Sequence, residues 1–78
     1  MFDKKLFAER LKSTRKSKRL NQQALADFAS VGRTNITMLE TGERSPSVEV
    51  LVALAECLDV SIDYLVGRSD IREESRRF

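Results

Sequence analysis

The sequence predicts an all-α domain built from five helices, and three observations carry that prediction. Apolar residues recur at helical spacing in five separate segments of the 78-residue chain. A residue that commonly caps a helix, or a glycine that interrupts the pattern, precedes each segment. No segment alternates apolar and polar residues in the way that a half-buried strand would.

Start and stop signals define the five helices in order. They are expected over about residues 4–17, 22–29, 33–41, 48–58 and 62–66. Four of them follow a side-chain cap, namely Asp3, Asn21, Ser47 and Ser61. The third starts after the break at residues 30–32 and ends at Gly42, and Gly67 ends the fifth, because glycine readily adopts the left-handed conformation of a helix C-terminus. Pro46 disfavours helix in the residue before it and makes 43–46 a loop.

The apolar faces of these helices form the expected core. The inward-facing residues of the first four helices are Phe7, Leu11, Leu25, Ala26, Ala29, Ile36, Leu39, Val48, Leu51, Leu54, Ala55 and Leu58. A chain of this length makes one small domain that buries only about 60% of its unfolded surface, which argues against a large internal active-site cavity. We expect this domain to cover residues 1–67. A charged tail, 68–78, should be frayed or ordered only by a partner.

Charge is distributed unevenly along the chain. The net charge is only +2, but residues 1–20 hold eight Lys or Arg against two Asp or Glu, whereas residues 21–67 hold two against seven. A basic first helix on an acidic body is compatible with contacts to phosphates. A solvated charged face explains such a cluster equally well, so charge alone does not assign a function.

Composition argues against several kinds of site. Cys57 is the only cysteine and there is no histidine, so an intrachain disulfide and ordinary zinc patterns are excluded, and we assign Cys57 to packing rather than redox sensing. The longest apolar stretch, 50–55, is too short to span a membrane, and no signal-peptide pattern opens the chain, so we expect a cytoplasmic protein. Without histidine, a glycine-rich phosphate loop or a metal cluster, we expect neither an enzyme nor a cofactor.

The second and third helices, joined by a three-residue turn, match a helix-turn-helix unit. Ala26 leaves room for the crossing helix, and the wedge between the two helices can be closed by Leu25, Val31, Ile36 and Leu39. Further ordered motifs are Arg10-Leu11-Lys12, Arg15, Leu20-Asn21-Gln22-Gln23-Ala24-Leu25-Ala26, Ile36-Thr37-Met38-Leu39-Glu40-Thr41-Gly42, Pro46-Ser47 and 54–67. Over residues 7–67 the sequence closely resembles the Cro/cI-type, or Xre, helix-turn-helix family.

The resemblance implies a five-helix, lambda-repressor-like domain that binds double-stranded operator DNA and regulates transcription. Most simply it is a repressor that binds near-palindromic operators as a homodimer. The alternative is an antitoxin or adaptor whose main partner is a regulatory protein held by the last helix or the tail. The family commonly has glycine where Arg19 and Ser30 stand and a larger aliphatic residue at Thr14. A non-glycine residue in the left-handed conformation costs on the order of 1 kcal/mol, so these departures should weaken local stability rather than change the fold.

The outward face of the third helix is predicted to read bases. With Ile36 pointing inward, a rotation of about 100° per residue turns Thr34 and Met38 away from the core. The resemblance assigns base contacts to residues on or beside this face, namely Arg33, Thr34, Asn35 and Met38. Asparagine can pair with adenine, arginine with guanine, and a methionine or threonine methyl can pack on the methyl group of thymine.

The resemblance also implies phosphate contacts, a structural ion pair and a dimer surface. Gln22 begins the second helix, where free backbone N–H groups and the helix dipole favour a phosphate. Weaker phosphate candidates are Arg10, Thr37, Arg44 and Ser45. Arg15 and Glu40 are expected to form a partly buried ion pair that joins the first helix to the third. The last helix carries more apolar surface than a small core needs, and the expected dimer interface consists of Ile62, Tyr64, Leu65 and Val66.

Overall fold

The computed structural model describes residues 1–72, and their regular structure consists of five α-helices. These are α1 (Lys4–Ser17), α2 (Gln22–Ala29), α3 (Arg33–Thr41), α4 (Val48–Leu58) and α5 (Ile62–Val66). The all-α, five-helix prediction is confirmed, and the helix boundaries agree with the start and stop signals in the sequence. No helix within residues 1–72 is long and apolar enough to cross a membrane.

Side-chain caps and glycines account for the helix ends. Four helices start where a side-chain oxygen accepts a hydrogen bond from a backbone N–H of the first turn, at distances of 2.8 to 3.2 Å. The four caps are Asp3, Asn21, Ser47 and Ser61. Gly42 and Gly67 follow α3 and α5 with φ angles of 85° and 89°, the left-handed conformation in which glycine avoids strain.

The core lies where the apolar faces of the helices meet, and α3 packs against both α1 and α2. α1 packs on α3 and α5, while α2 packs on α3 and α4. The side chains with no exposed surface include Phe7, Leu11, Leu25, Ala26, Ile36, Leu39, Leu54, Leu58 and Leu65. Val48 was expected in this core but is 76% exposed, because it is the first residue of α4 and lies outside the packed middle of that helix.

Three residues other than glycine adopt the left-handed conformation. Arg19 and Ser30, which stand where the resembled family commonly has glycine, have φ angles of 62° and 59°. Asp59, which ends α4, has a φ of 57° and was not singled out in the sequence. Each of these positions carries a local conformational cost of about 1 kcal/mol that glycine would not have.

The segment after α5 contacts α1. The Arg10 guanidinium donates to the carbonyl oxygens of Tyr64 and Ser69 at 2.6 and 2.7 Å and to the Asp70 carboxylate at 3.0 Å. Arg72 donates to the Ser17 hydroxyl at 2.9 Å. The expectation that the tail is frayed or ordered only by a partner is therefore wrong for residues 68–70 and Arg72, which are hydrogen-bonded to α5 or α1 of the same chain. Residues 73–78 of that tail lie outside the described residues.

Thr14 offers a test of the core. Its side chain has no exposed surface, and its hydroxyl has no hydrogen-bond partner within residues 1–72. Thr14→Val replaces the buried hydroxyl with a methyl group of similar shape, so we expect the free energy of unfolding to rise by about 1 kcal/mol in urea denaturation. Thr41→Val, which removes an exposed hydroxyl bonded to the carbonyl of Met38, is the control and should not stabilise the protein. A lower unfolding midpoint for Thr14→Val would show that the hydroxyl contributes to stability.

Candidate nucleic-acid interface

The outer face of α3 is open to solvent. Ile36, Leu39 and Glu40 turn inward and are buried. The four side chains predicted to contact bases are all at least partly accessible: Arg33 and Thr34 are exposed, and Asn35 and Met38 are half-buried. The structure thus presents, on one helix surface, a guanidinium, an amide, a hydroxyl and a thioether. These groups can donate, accept and make apolar contacts with base edges.

Arg15 and Glu40 form an ion pair between α1 and α3. Arg15 Nε donates to Glu40 Oε2 at 2.7 Å, and Nη2 donates to Oε1 at 3.1 Å, which makes the pair bidentate. The two side chains are only 10% and 2% exposed. Arg15 Nη1 also donates to the carbonyl of Leu20 at 2.8 Å, so the guanidinium connects α3 to the turn before α2 as well.

Gln22 extends this ion pair toward the outer face of α3. Its Nε2 donates to Glu40 Oε1 at 3.1 Å, and its Oε1 accepts from the Thr37 hydroxyl at 3.0 Å. The Thr37 hydroxyl also lies 3.2 Å from the carbonyl of Arg33. Two predicted phosphate-contacting residues, Gln22 and Thr37, are therefore joined to each other and to the buried pair, and Gln22 Nε2 keeps a second hydrogen for an external acceptor.

A polar recess lies at the N-terminus of α2. It has a volume of about 370 Å³ and is lined by Arg15, Asn21, Gln22, Gln23 and Arg33. First-turn amides of a helix have no partner within the helix, and the positive end of the helix dipole favours an anion there. Asn21 and Gln23 were not among the predicted site residues; the position of Asn21 as the N-cap of α2 and of Gln23 in its first turn was the signal that could have identified them.

The loop after α3 returns to the same face. Arg44 Nη1 donates to Asn35 Oδ1 at 3.1 Å, and both Arg44 and its neighbour Ser45 are exposed. Arg44 therefore contacts a predicted base-reading residue rather than standing apart from it. Ser45 remains accessible as a candidate for a phosphate contact.

Arg10 does not lie in this constellation. Its side chain is 17% exposed, and its guanidinium is held by Asp70, by two carbonyl oxygens and by the Tyr64 ring, whose centre is 4.2 Å away. The expectation that Arg10 contacts a phosphate is therefore corrected, because its guanidinium binds residues 69–70 and links them to α1. We leave Arg10 out of the candidate interface.

The surface predicted for dimerisation is smaller than the sequence suggested. Leu65 is fully buried in the core of its own chain, so its side chain is not available to a second copy, and this assignment is corrected. Tyr64 is half-buried beneath Arg10. Ile62, which is 36% exposed, and the half-buried Val66 are the apolar side chains of α5 that remain accessible.

Cys57 stays outside the candidate interface. It lies on α4, partly buried against the core. Burial raises the pKa of its thiol above the ordinary value, which keeps the thiol protonated and weakly nucleophilic at neutral pH. Within the described part of the chain, no three His, Cys, Asp or Glu side chains are grouped to hold a metal ion.

A mutation of Glu40 can test whether the ion pair stabilises the fold rather than contacting DNA. Glu40→Ala leaves the Arg15 guanidinium buried without its carboxylate, so we expect the free energy of unfolding to fall by about 3–5 kcal/mol in urea denaturation. Glu43→Ala, which removes an exposed carboxylate just after α3, is the matched control and should change stability by less than about 0.5 kcal/mol. An unchanged unfolding midpoint for Glu40→Ala together with loss of DNA binding would contradict a structural role.

Comparison with known proteins agrees with this geometry. A model of a family described as helix-turn-helix matches residues 11–65. The helix-turn-helix-type transcriptional regulator YqaE of Bacillus subtilis is 43% identical over 61 residues, which are 78% of this chain and 53% of the relative. The chain thus spans about half the length of that relative. The control protein C.SmaI of Serratia marcescens is 32% identical over 71 residues, covering 91% of this chain and 84% of the relative.

A solved structure shows the same fold. The P22 c2 repressor in complex with a synthetic operator superimposes with a TM-score of 0.78 and 34% sequence identity, covering 82% of this chain and 97% of that chain. Both the fold and a substantial share of the sequence are therefore similar to those of a repressor whose structure was determined with operator DNA.

Proposed function

The chain belongs to the Xre family of Cro/cI-type helix-turn-helix proteins, and on this premise we propose that it binds operator DNA and regulates transcription as a repressor. The observation that carries the proposal is the outer face of α3, which presents Arg33, Thr34, Asn35 and Met38 beside the recess at the N-terminus of α2. A helix of this kind fits the major groove, where each base pair presents a distinct pattern of donors and acceptors.

Base recognition is assigned to side chains of α3. Arg33 can donate two hydrogen bonds to guanine, and Asn35 can pair with adenine through its amide. Thr34 and Met38 can pack on the methyl group of thymine. Each bidentate contact distinguishes the right base from a wrong one by about 1–3 kcal/mol, so Arg33 and Asn35 carry most of the proposed specificity.

Phosphate binding is assigned to the recess and its surroundings. The second hydrogen of Gln22 Nε2 and the free amides of the first turn of α2 can donate to a phosphate oxygen. Thr37 lies on α3 and is hydrogen-bonded to Gln22, which lines the recess. Arg44 and Ser45 lie in the loop after α3. Such contacts fix the position of the protein on the duplex without carrying sequence information.

Dimerisation is the remaining part of the proposal. Ile62 and Val66, with the edge of Tyr64, form the accessible apolar surface of α5. A symmetric dimer through this surface would place two α3 helices about 34 Å apart, one helical turn of DNA, which suits a near-palindromic operator. A protein bound in this way would block a promoter by occupying the groove. The alternative is a function whose main partner is a regulatory protein. This alternative would be favoured if selection from a random DNA library gave no consensus sequence.

Selection of bound DNA from a random library tests sequence specificity. Wild-type protein should select a palindromic consensus, whereas Asn35→Ala should lose the preference at one position in each half-site and keep nearly the same dependence of affinity on salt, because Asn35 neutralises no phosphate. Lys16→Ala, which removes an exposed charge from α1, is the control and should leave the consensus unchanged. If Asn35→Ala weakens operator and random DNA equally, Asn35 does not read bases.

Sedimentation tests the dimer. Ile62→Glu places a charge in the accessible surface of α5, so we expect it to shift the protein toward the monomer and to weaken binding to a full operator more than to a half-site. Val52→Glu is a matched control, because Val52 is 37% exposed on α4 and Ile62 is 36% exposed. A wild-type protein that is monomeric both free and on a full operator would refute the dimer.

A further inference from the structure

Arg44 and Asn35 are joined by a hydrogen bond that the proposed phosphate role of Arg44 does not explain. Arg44 Nη1 donates to Asn35 Oδ1 at 3.1 Å, across nine positions of sequence. This solvent-exposed bond connects the loop after α3 to Asn35, a half-buried residue on the face that is proposed to read bases. No other hydrogen bond of the Asn35 amide occurs within residues 1–72, so Arg44 is the neighbour that orients it.

The chemistry of the two groups allows one orientation of this amide. A guanidinium has only hydrogen-bond donors, so it can face the amide oxygen but not the amide nitrogen. Turning the Asn35 amide over would bring two sets of donors together and lose the hydrogen bond. Arg44 therefore keeps Oδ1 toward the loop and leaves the two hydrogens of Nδ2 as the free edge of the amide.

We propose, on the basis of the proposed function, that Arg44 is a positioning residue that sets the base preference of Asn35. The free Nδ2 edge donates, and donors select base edges that carry acceptors, such as N7 of either purine or O6 of guanine. Adenine remains compatible with a bidentate contact, because Oδ1 has a second lone pair. Cytosine presents no acceptor in the major groove, so the free Nδ2 hydrogens find no partner on it, and it is the base that this orientation disfavours most strongly.

This role predicts a result that a phosphate contact would not. A phosphate contact carries no sequence information, so its loss weakens binding to every sequence by the same factor and reduces the dependence of affinity on salt. A positioning contact acts through Asn35 alone, so its loss changes the relative affinities at a single base pair. The two effects of Arg44 can therefore be measured separately.

The test compares four proteins on four DNA duplexes. The proteins are the wild type, Arg44→Ala, Asn35→Ala and the double variant. The duplexes carry the selected consensus and differ only at the base pair whose preference Asn35→Ala removes. Dissociation constants come from fluorescence anisotropy at several salt concentrations. We expect Arg44→Ala to raise the relative affinity for cytosine at that position by about twofold to tenfold, the value of one ordinary hydrogen bond, and to have no such effect in the Asn35→Ala background.

Lys18→Ala is the matched control, because it removes one exposed positive charge away from α3 and should leave the four relative affinities unchanged. Arg44 is exposed, so its replacement should leave the circular dichroism spectrum and unfolding midpoint close to those of the wild type. The positioning role is overturned if Arg44→Ala weakens binding to all four duplexes by the same factor. It is also overturned if Arg44→Ala changes the base preference equally in the Asn35→Ala background. If the wild type prefers no base at any position, the proposed function fails and this inference fails with it.

Discussion

The ion pair between Arg15 and Glu40 is the interaction on which the arrangement of the other parts depends. Two charges that are 10% and 2% exposed have lost most of their hydration, and their attraction alone often does not repay that loss. Here the two parallel hydrogen bonds of the pair are supplemented by the Leu20 carbonyl and the Gln22 amide. The charges are satisfied only when α1, α2 and α3 are all in place, so the pair favours a single relative arrangement of the three helices.

This arrangement links the two kinds of proposed DNA contact. Glu40 holds the Gln22 amide from inside, and the same amide accepts a hydrogen bond from Thr37 on α3. The N-terminus of α2, where a phosphate is proposed to bind, is therefore fixed relative to the helix that is proposed to read bases. Phosphate contacts that set the register of the protein can be useful only if the reading helix follows that register rigidly. The hydrogen-bond network around the buried ion pair favours this fixed arrangement in a domain with a small core.

The sequence predicted the helices well because their signals are local. Caps such as Asp3 and Asn21, and glycines such as Gly42, act within one helical turn of the residue they affect, and the structure shows them where local chemistry requires. The outer face of α3 was equally predictable, because helical rotation determines which residues oppose Ile36. Local sequence patterns could not predict which distant residue a long side chain would contact. Arg10 contacts residues more than 50 positions away, and nothing in its spacing distinguishes a guanidinium that binds a carbonyl from one that is free for DNA.

The face of α3 that is proposed to read bases shows the same limit of local sequence patterns. α3 carries a single basic residue, Arg33, so the rest of its proposed specificity comes from short polar and apolar side chains such as Asn35, whose orientation matters more than their charge. A short side chain that is free to rotate can satisfy several bases, and binding then has to restrict it at a cost in entropy. Long neighbours remove part of that cost beforehand: Arg44 orients Asn35 as Glu40 orients Gln22. Preorganisation by polar contacts suits a chain of this size, because the few residues of its core cannot also hold its surface in place.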